Sequence, residues 1–537
     1  MLAIYLAVED QKTGIIAKLA GEVTPDPQTG QLTALFKDNP QLPIEEIETH
    51  FFNGPKAALK TPLACGTYTT TSTLTPWSTP EGADANLSDS FATSVAAGGS
   101  GPCPSSEAGA PNTPSFTAGT TTPQAAAFSP FVLKLSREDG SQQLTGLDAT
   151  LPKGLTGKLA GIPYCSEAQI AAAKAREAPN MGAVEQQSPS CPLASEVGSV
   201  TVGAGAGITP LYVSGHAYLA GPYRGAPLSL AIITPALAGP FDLGAVVART
   251  ALYVNPETAQ IHAVSDPLPS IIQGIPLDLR SIALKMDRPD FTRNPTSCDP
   301  TQILEAASTL ADQSAALISP FQVGGCGALK FKPKLAISLK GATKRTGHPA
   351  LRATLTYPKD GRYANIEDAQ VTLPHSEFLD TTHIATVCTR VQFAADSCPK
   401  ASIYGFARAF TPLLDKPVEG PVYLRSSNHK LPDLVAALNG QVDVDLVGRV
   451  DTGKANGIRN SFEAAPDAPV SKFVLEMKGG RKGLLVNSED ICRKPQRALA
   501  SYLAHNGMSY EATPLIKNSC GAKAKKKHGA KAHKAQR

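Results

Sequence analysis

The sequence predicts an all-β fold of tandem, β-sandwich-like repeats with short helices, stapled by disulfides. Three observations carry that expectation. The octapeptide Cys191-Pro192-Leu193-Ala194-Ser195-Glu196-Val197-Gly198 returns as Cys398-Pro399-Lys400-Ala401-Ser402-Ile403-Tyr404-Gly405. The segments between are short alternations of apolar and polar residues broken by turn formers, with 45 Gly and 45 Pro in 537 residues, a pattern of strands and turns rather than helices. Ten cysteines fall at comparable places in each copy.

The copies keep register beyond the octapeptide. Thr209-Pro210-Leu211 leads into a V-x-G-x-x-Y-L pattern at 213–219, and Thr411-Pro412-Leu413 into the same pattern at 418–424. Leu151-Pro152 lies 13 residues before Cys165, and Leu373-Pro374 lies 14 before Cys388. A period this long reads as tandem domains, because solenoid repeats recur every 20 to 50 residues. A partial copy stands at the N-terminus: residues 27–34 line up with 256–263, and Pro43, Pro276 and Pro469 precede Cys65, Cys298 and Cys492 by 22, 22 and 23 residues. Tyr5-Leu6-Ala7-Val8 matches Ser229-Leu230-Ala231-Ile232, so Met1 is expected to open mid-repeat in a piece of a longer product whose signal segment is missing. The predicted organisation is a truncated first repeat with a Ser/Thr/Pro/Gly-rich loop at 1–103, complete repeats at 104–326 and 327–520, and a disordered basic tail at 521–537.

In chain order, strands are expected at 31–36 and 47–51, and 68–74 reads as one arm of a hairpin. Residues 78–125 read as a long mobile loop. Alternation marks strands at 131–136 and 146–151, with partners at 336–339, 351–356 and 369–373; Asp360-Gly361 supplies a hairpin-type turn. Residues 166–174 are the clearest helix, with a serine cap, an early acid and an alanine run. Strand after strand follows at 197–290 and 403–478. Residues 303–316 fit a helix by period alone, but register with 68–74 favours a strand pair.

Local pairing of the cysteines gives Cys65–Cys103, Cys165–Cys191, Cys298–Cys326, Cys388–Cys398 and Cys492–Cys520. Shifting the partners by one strands Cys65 and Cys520 at opposite ends. Five disulfides imply export to an oxidising compartment. Zinc on the cysteines is not expected, since no C-x-x-C occurs and no histidine keeps a constant offset from a cysteine pair. No run of about twenty apolar residues could span a bilayer as a helix. The net charge of +4 comes from the last seventeen residues, which carry Lys523, Lys525, Lys526, Lys527, Lys531, Lys534 and Arg537 and no acid. That tail suits an anionic wall polymer or membrane surface, with nucleic acid disfavoured by the case for export.

No residue set forms a catalytic or cofactor signature. His216, His262, His383 and His429, with Asp443, Asp445 and Asp451, read as turn and strand-face residues. Asp443-x-Asp445 lacks the glycine turn and distal acid of a calcium loop. Gly203-x-Gly205-x-Gly207 has no following helix to seat a phosphate. A glycosidase would need a carboxylate pair that the sequence does not place. Asn86-Leu87-Ser88 is a glycosylation-type sequon.

The L-P turn, the octapeptide, the V-x-G-x-x-Y-L strand and the segment 467–475, followed by a Lys/Ala-rich C-terminus, resemble uncharacterised large secreted repeat proteins of actinobacteria. The resemblance implies export and repetition and brings no activity. The expected function is that of a non-enzymatic secreted or cell-surface structural or adhesive protein without a cofactor. The alternative is an extracellular carbohydrate-binding protein acting on wall or matrix glycan, for which Trp77 is the one available tryptophan.

Overall fold

Two large, mainly antiparallel sheets dominate the computed structural model, which describes residues 2–43, 45–54, 57–96, 101–358, 363–452 and 457–520. The basic tail and the Asp360-Gly361 turn lie outside the described residues. The first sheet runs, edge to edge, Ser314–Phe321, Thr301–Thr309, Leu144–Thr150, Ile261–Ser265, Phe241–Val254, Leu228–Ala238, Leu211–Ala220, Glu196–Ala204, Leu279–Met286, Phe131–Ser136 and Ser115–Thr120. The second runs Ser509–Ala512, Leu499–Ala504, Ile366–Thr372, Ile458–Phe462, Val444–Thr452, Asp433–Leu438, Val418–Arg425, Ile403–Phe410, Lys472–Met477, Ala350–Thr356 and Lys334–Lys340, with Ile516–Lys517 added in parallel at the end. Ranked by sequence within each copy, the eleven shared strands stand in the same order.

Each sheet curls over on itself. Leu133, Leu219, Leu230, Ile303 and Phe321 belong to one buried cluster, although Ile303 and Leu219 sit five strands apart in the ladder. Five steps of about 4.8 Å would separate them by about 24 Å in a flat sheet. At the closing edge the Ser319 hydroxyl accepts from Ala118 N (2.9 Å) and donates to Ala118 O (2.9 Å). The two halves therefore face each other across an apolar interior, as in a sandwich.

The octapeptide has a geometric reason in both copies. Ser195 and Ser402 are fully buried, and their hydroxyls donate back to Pro192 O (2.7 Å) and Pro399 O (2.6 Å), closing a 3-10 turn. A bulge follows, between Glu196 and Gly198 and between Ile403 and Gly405. A Cβ at Gly198 or Gly405 would collide with the carbonyl oxygen of Lys285 or Glu476 on the adjacent strand. Glycine is required there by close approach.

All ten cysteines pair locally, with Cα–Cα separations of 5.2 to 5.9 Å, inside the usual disulfide range. Cys65–Cys103, Cys298–Cys326 and Cys492–Cys520 each bracket an antiparallel strand pair. Cys165–Cys191 and Cys388–Cys398 bracket the helical excursions. The first holds Glu167–Lys174, opened by a capping box on Ser166 and Gln169, together with Met181–Gln187. The second holds Arg390–Ala394, capped the same way by Thr389 and Gln392.

Three expectations resolve against local pattern. Residues 301–321 form the strand pair. The stretch 78–125 is not one long loop, because Ala85–Thr93 pairs with Gly66–Leu74 and Ser115–Thr120 pairs with Phe131–Ser136. The strand expected at 47–51 does not form. Its counterparts, Leu279–Met286 and Lys472–Met477, each lie between two partner strands, and the described residues of the first copy supply neither partner. That copy comprises a three-stranded sheet, Leu2–Asp10, Ile15–Pro25 and Leu32–Phe36, and the separate Gly66–Leu74 hairpin. Tyr5, Ile16 and Phe51 are exposed.

Replacing Cys298 and Cys326 together by Ser should lower the unfolding free energy of that copy by about 3.5 kcal/mol, the loop-entropy value for a span of this size. Denaturant melts would read this as a lower midpoint with m equal or raised, since the uncrosslinked unfolded chain is more expanded; an unmoved midpoint rejects the account.

Candidate functional site

The curled sheets meet across a joint with an apolar cavity of about 390 Å³. Leu133, Leu230 and Leu252 line it from one sheet, and Leu414, Leu446 and Phe473 from the other. The joint is continuous chain-to-chain packing. Leu159 N and Ala160 N donate to Leu413 O (2.8 and 3.0 Å), and Asp445 N donates to Pro256 O (2.8 Å). Asp467, 5% exposed, accepts from Thr296 N (2.7 Å), the Thr296 hydroxyl (2.5 Å), Ser297 N (3.2 Å) and Asn365 Nδ2 (2.7 Å). Those donors come from both copies.

One acid enters the cavity wall. Glu305, 3% exposed, accepts from Asp148 N through Oε1 (3.1 Å), while its Oε2 is buried without a protein partner. Burial, with Asp148 adding to it, pushes this carboxyl up to about 7. A neutral acid in apolar walls can offer one hydrogen bond to a largely apolar molecule that carries an acceptor; Tyr357, its hydroxyl donating to Ala364 O (2.6 Å), is the other titratable side chain in the lining. Glu377, fully buried, accepts from the Ser376 hydroxyl (2.6 Å) and is also raised to about 7 by burial, with Glu489 adding to it.

The residues marked from sequence are mostly dispersed. His216 Nδ1 lies 2.9 Å from Glu196, His262 Nε2 2.5 Å from Asp148, and His429 Nε2 2.8 Å from Asp433. Asp451 takes a two-pronged bond from Arg459 at 2.7 Å, which holds its carboxyl below the usual range. Burial and the nearby Glu257 raise Asp445 to about 6. Gly205 and Gly207 have positive φ and lead into the Leu211–Ala220 strand, a turn with no helix behind it. Asn86 lies on the exposed Ala85–Thr93 strand, its amide oxygen accepting from the Thr73 hydroxyl (2.9 Å), and Trp77 is exposed in the turn between the two strands. The polyanion-binding residues proposed from sequence, Lys523 to Arg537, lie outside the described residues.

His383 alone among these joins a cluster. With His348 and Asp380 it offers three ligand atoms lying within 4.8 Å of one another, the one such group among the described residues. His348 stands just before Ala350–Thr356; Asp380 and His383 belong to the turn after Glu377–Leu379. His348 Nε2 lies 2.7 Å from Asp380 Oδ2, the two imidazoles stack at 4.2 Å, and His383 Nδ1 lies 2.7 Å from Gly483 O. Bonds from the Thr382 hydroxyl and His348 lower the Asp380 carboxyl to about 2. Sequence reading missed His348 and Asp380 because 32 residues separate them and no spacing motif links them.

No protein-family model matches the chain, and no curated protein does. Among solved structures, a collagen-hug MSCRAMM, ACE of Enterococcus faecalis, covers 75% of this chain and 94% of its own at 9% identity and a TM-score of 0.18. A protein of Corynebacterium diphtheriae described as membrane anchored covers 84% and 95%, also at 9% identity, with a TM-score of 0.17. TM-scores this low do not establish a shared fold.

The raised carboxyls fix a pH dependence. Glu305 and Glu377 hold protons in the folded chain up to about pH 7 but lose them near 4.5 when unfolded, so the folded state binds more protons in between. Stability therefore falls as pH rises from about 4.5 to about 7 and levels above that, by up to ~3 kcal/mol per group. Denaturant melts across this window should show the decline in the native chain and a flatter profile in Glu305→Gln/Glu377→Gln; parallel profiles would refute the assignment.

Proposed function

We propose that the chain is a non-enzymatic, secreted or cell-surface structural and adhesive protein, its units at 104–326 and 327–520 serving as tandem β repeats outside the cell. The observation that carries this reading is the joint. Two disulfide-stapled sheets dock through buried hydrogen bonds and a shared apolar cluster, so that load applied to one is borne by the other. Every cysteine is oxidised, which is the chemistry of an exported protein. His216, His262 and His429 each pair with a separate carboxylate, Glu196, Asp148 and Asp433, a dispersal that suits a scaffold.

Adhesion is assigned to the basic tail. Seven cations in seventeen residues without an acid would hold an anionic wall polymer or lipid surface by screened electrostatic attraction. Labelled full chain should be retained on purified actinobacterial cell wall at 50 mM salt, and deletion of 521–537 or addition of 0.5 M salt should lower retention several-fold. Retention that is unchanged by both, or absent from the start, rejects the adhesive role of the tail.

A further inference from the structure

His348, Asp380 and His383 bring three potential ligand atoms within 4.8 Å of one another. His383 donates through Nδ1 to the Gly483 carbonyl (2.7 Å), so in its neutral form Nε2 carries the lone pair. Nε2 stands 3.9 Å from Asp380 Oδ2, while the other carboxylate oxygen, Oδ1, accepts from the Thr382 amide and hydroxyl. With Nε2 unprotonated two acceptors confront each other, a contact that either a proton or a metal cation between them satisfies. The His348 ring, stacked on His383, brings its own Nε2 to the same carboxylate oxygen.

We propose that His348, Asp380 and His383 form a Zn2+ site, two imidazole nitrogens and one carboxylate oxygen binding the ion with a fourth position open to water. Imidazole and carboxylate are zinc's usual ligands, at about 2.0 to 2.2 Å. Ligand atoms of a tetrahedral site then stand roughly 3.3 Å apart, so the atoms, now within 4.8 Å, close on the metal by rotation of the two stacked rings out of their near-parallel arrangement. The Gly483 carbonyl already fixes the His383 tautomer that ligation needs, as outer-shell acceptors do in metal sites. On binding, His348 Nε2 exchanges its hydrogen bond to Asp380 for the metal and the ring ligates as neutral imidazole with its one proton on Nδ1, an imidazolium releasing its second proton to solvent. The three side chains are 19 to 24% exposed, so one side of the site reaches water and supplies the open position.

The other copy acts as an internal control. Strand register places Met286 opposite Phe131 and Met477 opposite Leu351, so Phe128 holds the place of His348. Lys158 N bonds Phe291 O as Asp380 N bonds Leu484 O, so Lys158 holds the place of Asp380. There the pair is Lys158 Nζ above the Phe128 ring at 5.9 Å. A lysine and a phenylalanine bind no zinc, and the expected stoichiometry is one ion per chain.

The test uses full chain carrying His528→Ala and His533→Ala, which removes the tail histidines as competing ligands. After metal stripping, calorimetric titration with ZnCl2 should give one equivalent, and CoCl2 should give the visible absorption of a four-coordinate ion. In His348→Ala/His383→Ala both signals should vanish while far-UV circular dichroism stays that of the metal-free parent. Should that variant unfold, Asp380→Asn, which keeps the shape of the side chain, should weaken binding at least tenfold. No stoichiometric uptake by the folded parent, or uptake unchanged in the variants, overturns the site and leaves the three side chains as a hydrogen-bonded cluster. Neither result bears on the scaffold role.

Discussion

The architecture rests on one demand, that both edges of an interior strand find backbone partners. Leu144–Thr150 meets it over a long range, lying between Ile261–Ser265 and Thr301–Thr309. Ile366–Thr372 does the same between Ile458–Phe462 and Leu499–Ala504. Each of these strands ties the middle of its copy to the hairpin bracketed by the last disulfide, and only with it in place can the sheet curl. The described residues of the first copy contain no such strand. There the three-stranded sheet and the hairpin stand apart, and Gly21 and Val23 are the buried positions among 3–96. The same hydrophobic alternation yields an apolar core when the inserted strand is present and an exposed apolar surface when it is not.

One turn position meets the preceding copy in both pairs of neighbours, besides the Leu413 and Pro256 contacts of the joint. Asp467 lies two residues before Pro469, and Gly274 lies two before Pro276. Asp467 bonds residues 296–297 of the preceding copy, while Gly274 abuts Pro25 and Asp26 of the copy before it. A Cβ at Gly274 would meet the Pro25 ring at 2.7 Å. The loop that Gly274 meets opens with an Asx turn, Asp26 accepting from Gln28 N and Thr29 N, and Asn255 repeats that turn on Glu257 N and Thr258 N. A buried carboxylate that loses its partners is costly, whereas one with four donors is well satisfied, so the Asp467 joint is specified by geometry as well as by apolar area.

Legibility followed the same division. The octapeptide, the L-P turn and the cysteine spacing were readable because they recur, and recurrence marks positions where backbone geometry tolerates one solution: a buried serine turn, a bulge, a glycine against a neighbouring carbonyl. The Glu167–Lys174 helix was readable from its capping residues. The Met181–Gln187 helix was not, since its N-terminal flank, Asn180, gives no side-chain cap. The strand expected at 47–51 misled because alternation reports which side of a strand is apolar and says nothing of whether partners exist. The paired Asn294 and Asn487, each giving its amide to two backbone carbonyls from a buried position, recur without a flanking motif and went unseen.

What differs between the copies is where chemistry can reside. The cavity acid Glu305 sits opposite Ala149, and the residue opposite Val371, the counterpart of Ala149, is Ala500, fully buried and inert. The histidine cluster gives way to a cation over an aromatic ring in the same manner. A duplicated fold holds its shared positions by packing and backbone closure, so a substitution there disturbs a whole sheet. Positions in turns, as at the histidine cluster, and positions facing the cavity, as at Glu305, bear less of that load, and each copy is free to acquire there a titratable or ligating group that the other lacks. A scan for sites in a repeat protein should therefore weigh departures from the repeat above agreement with it.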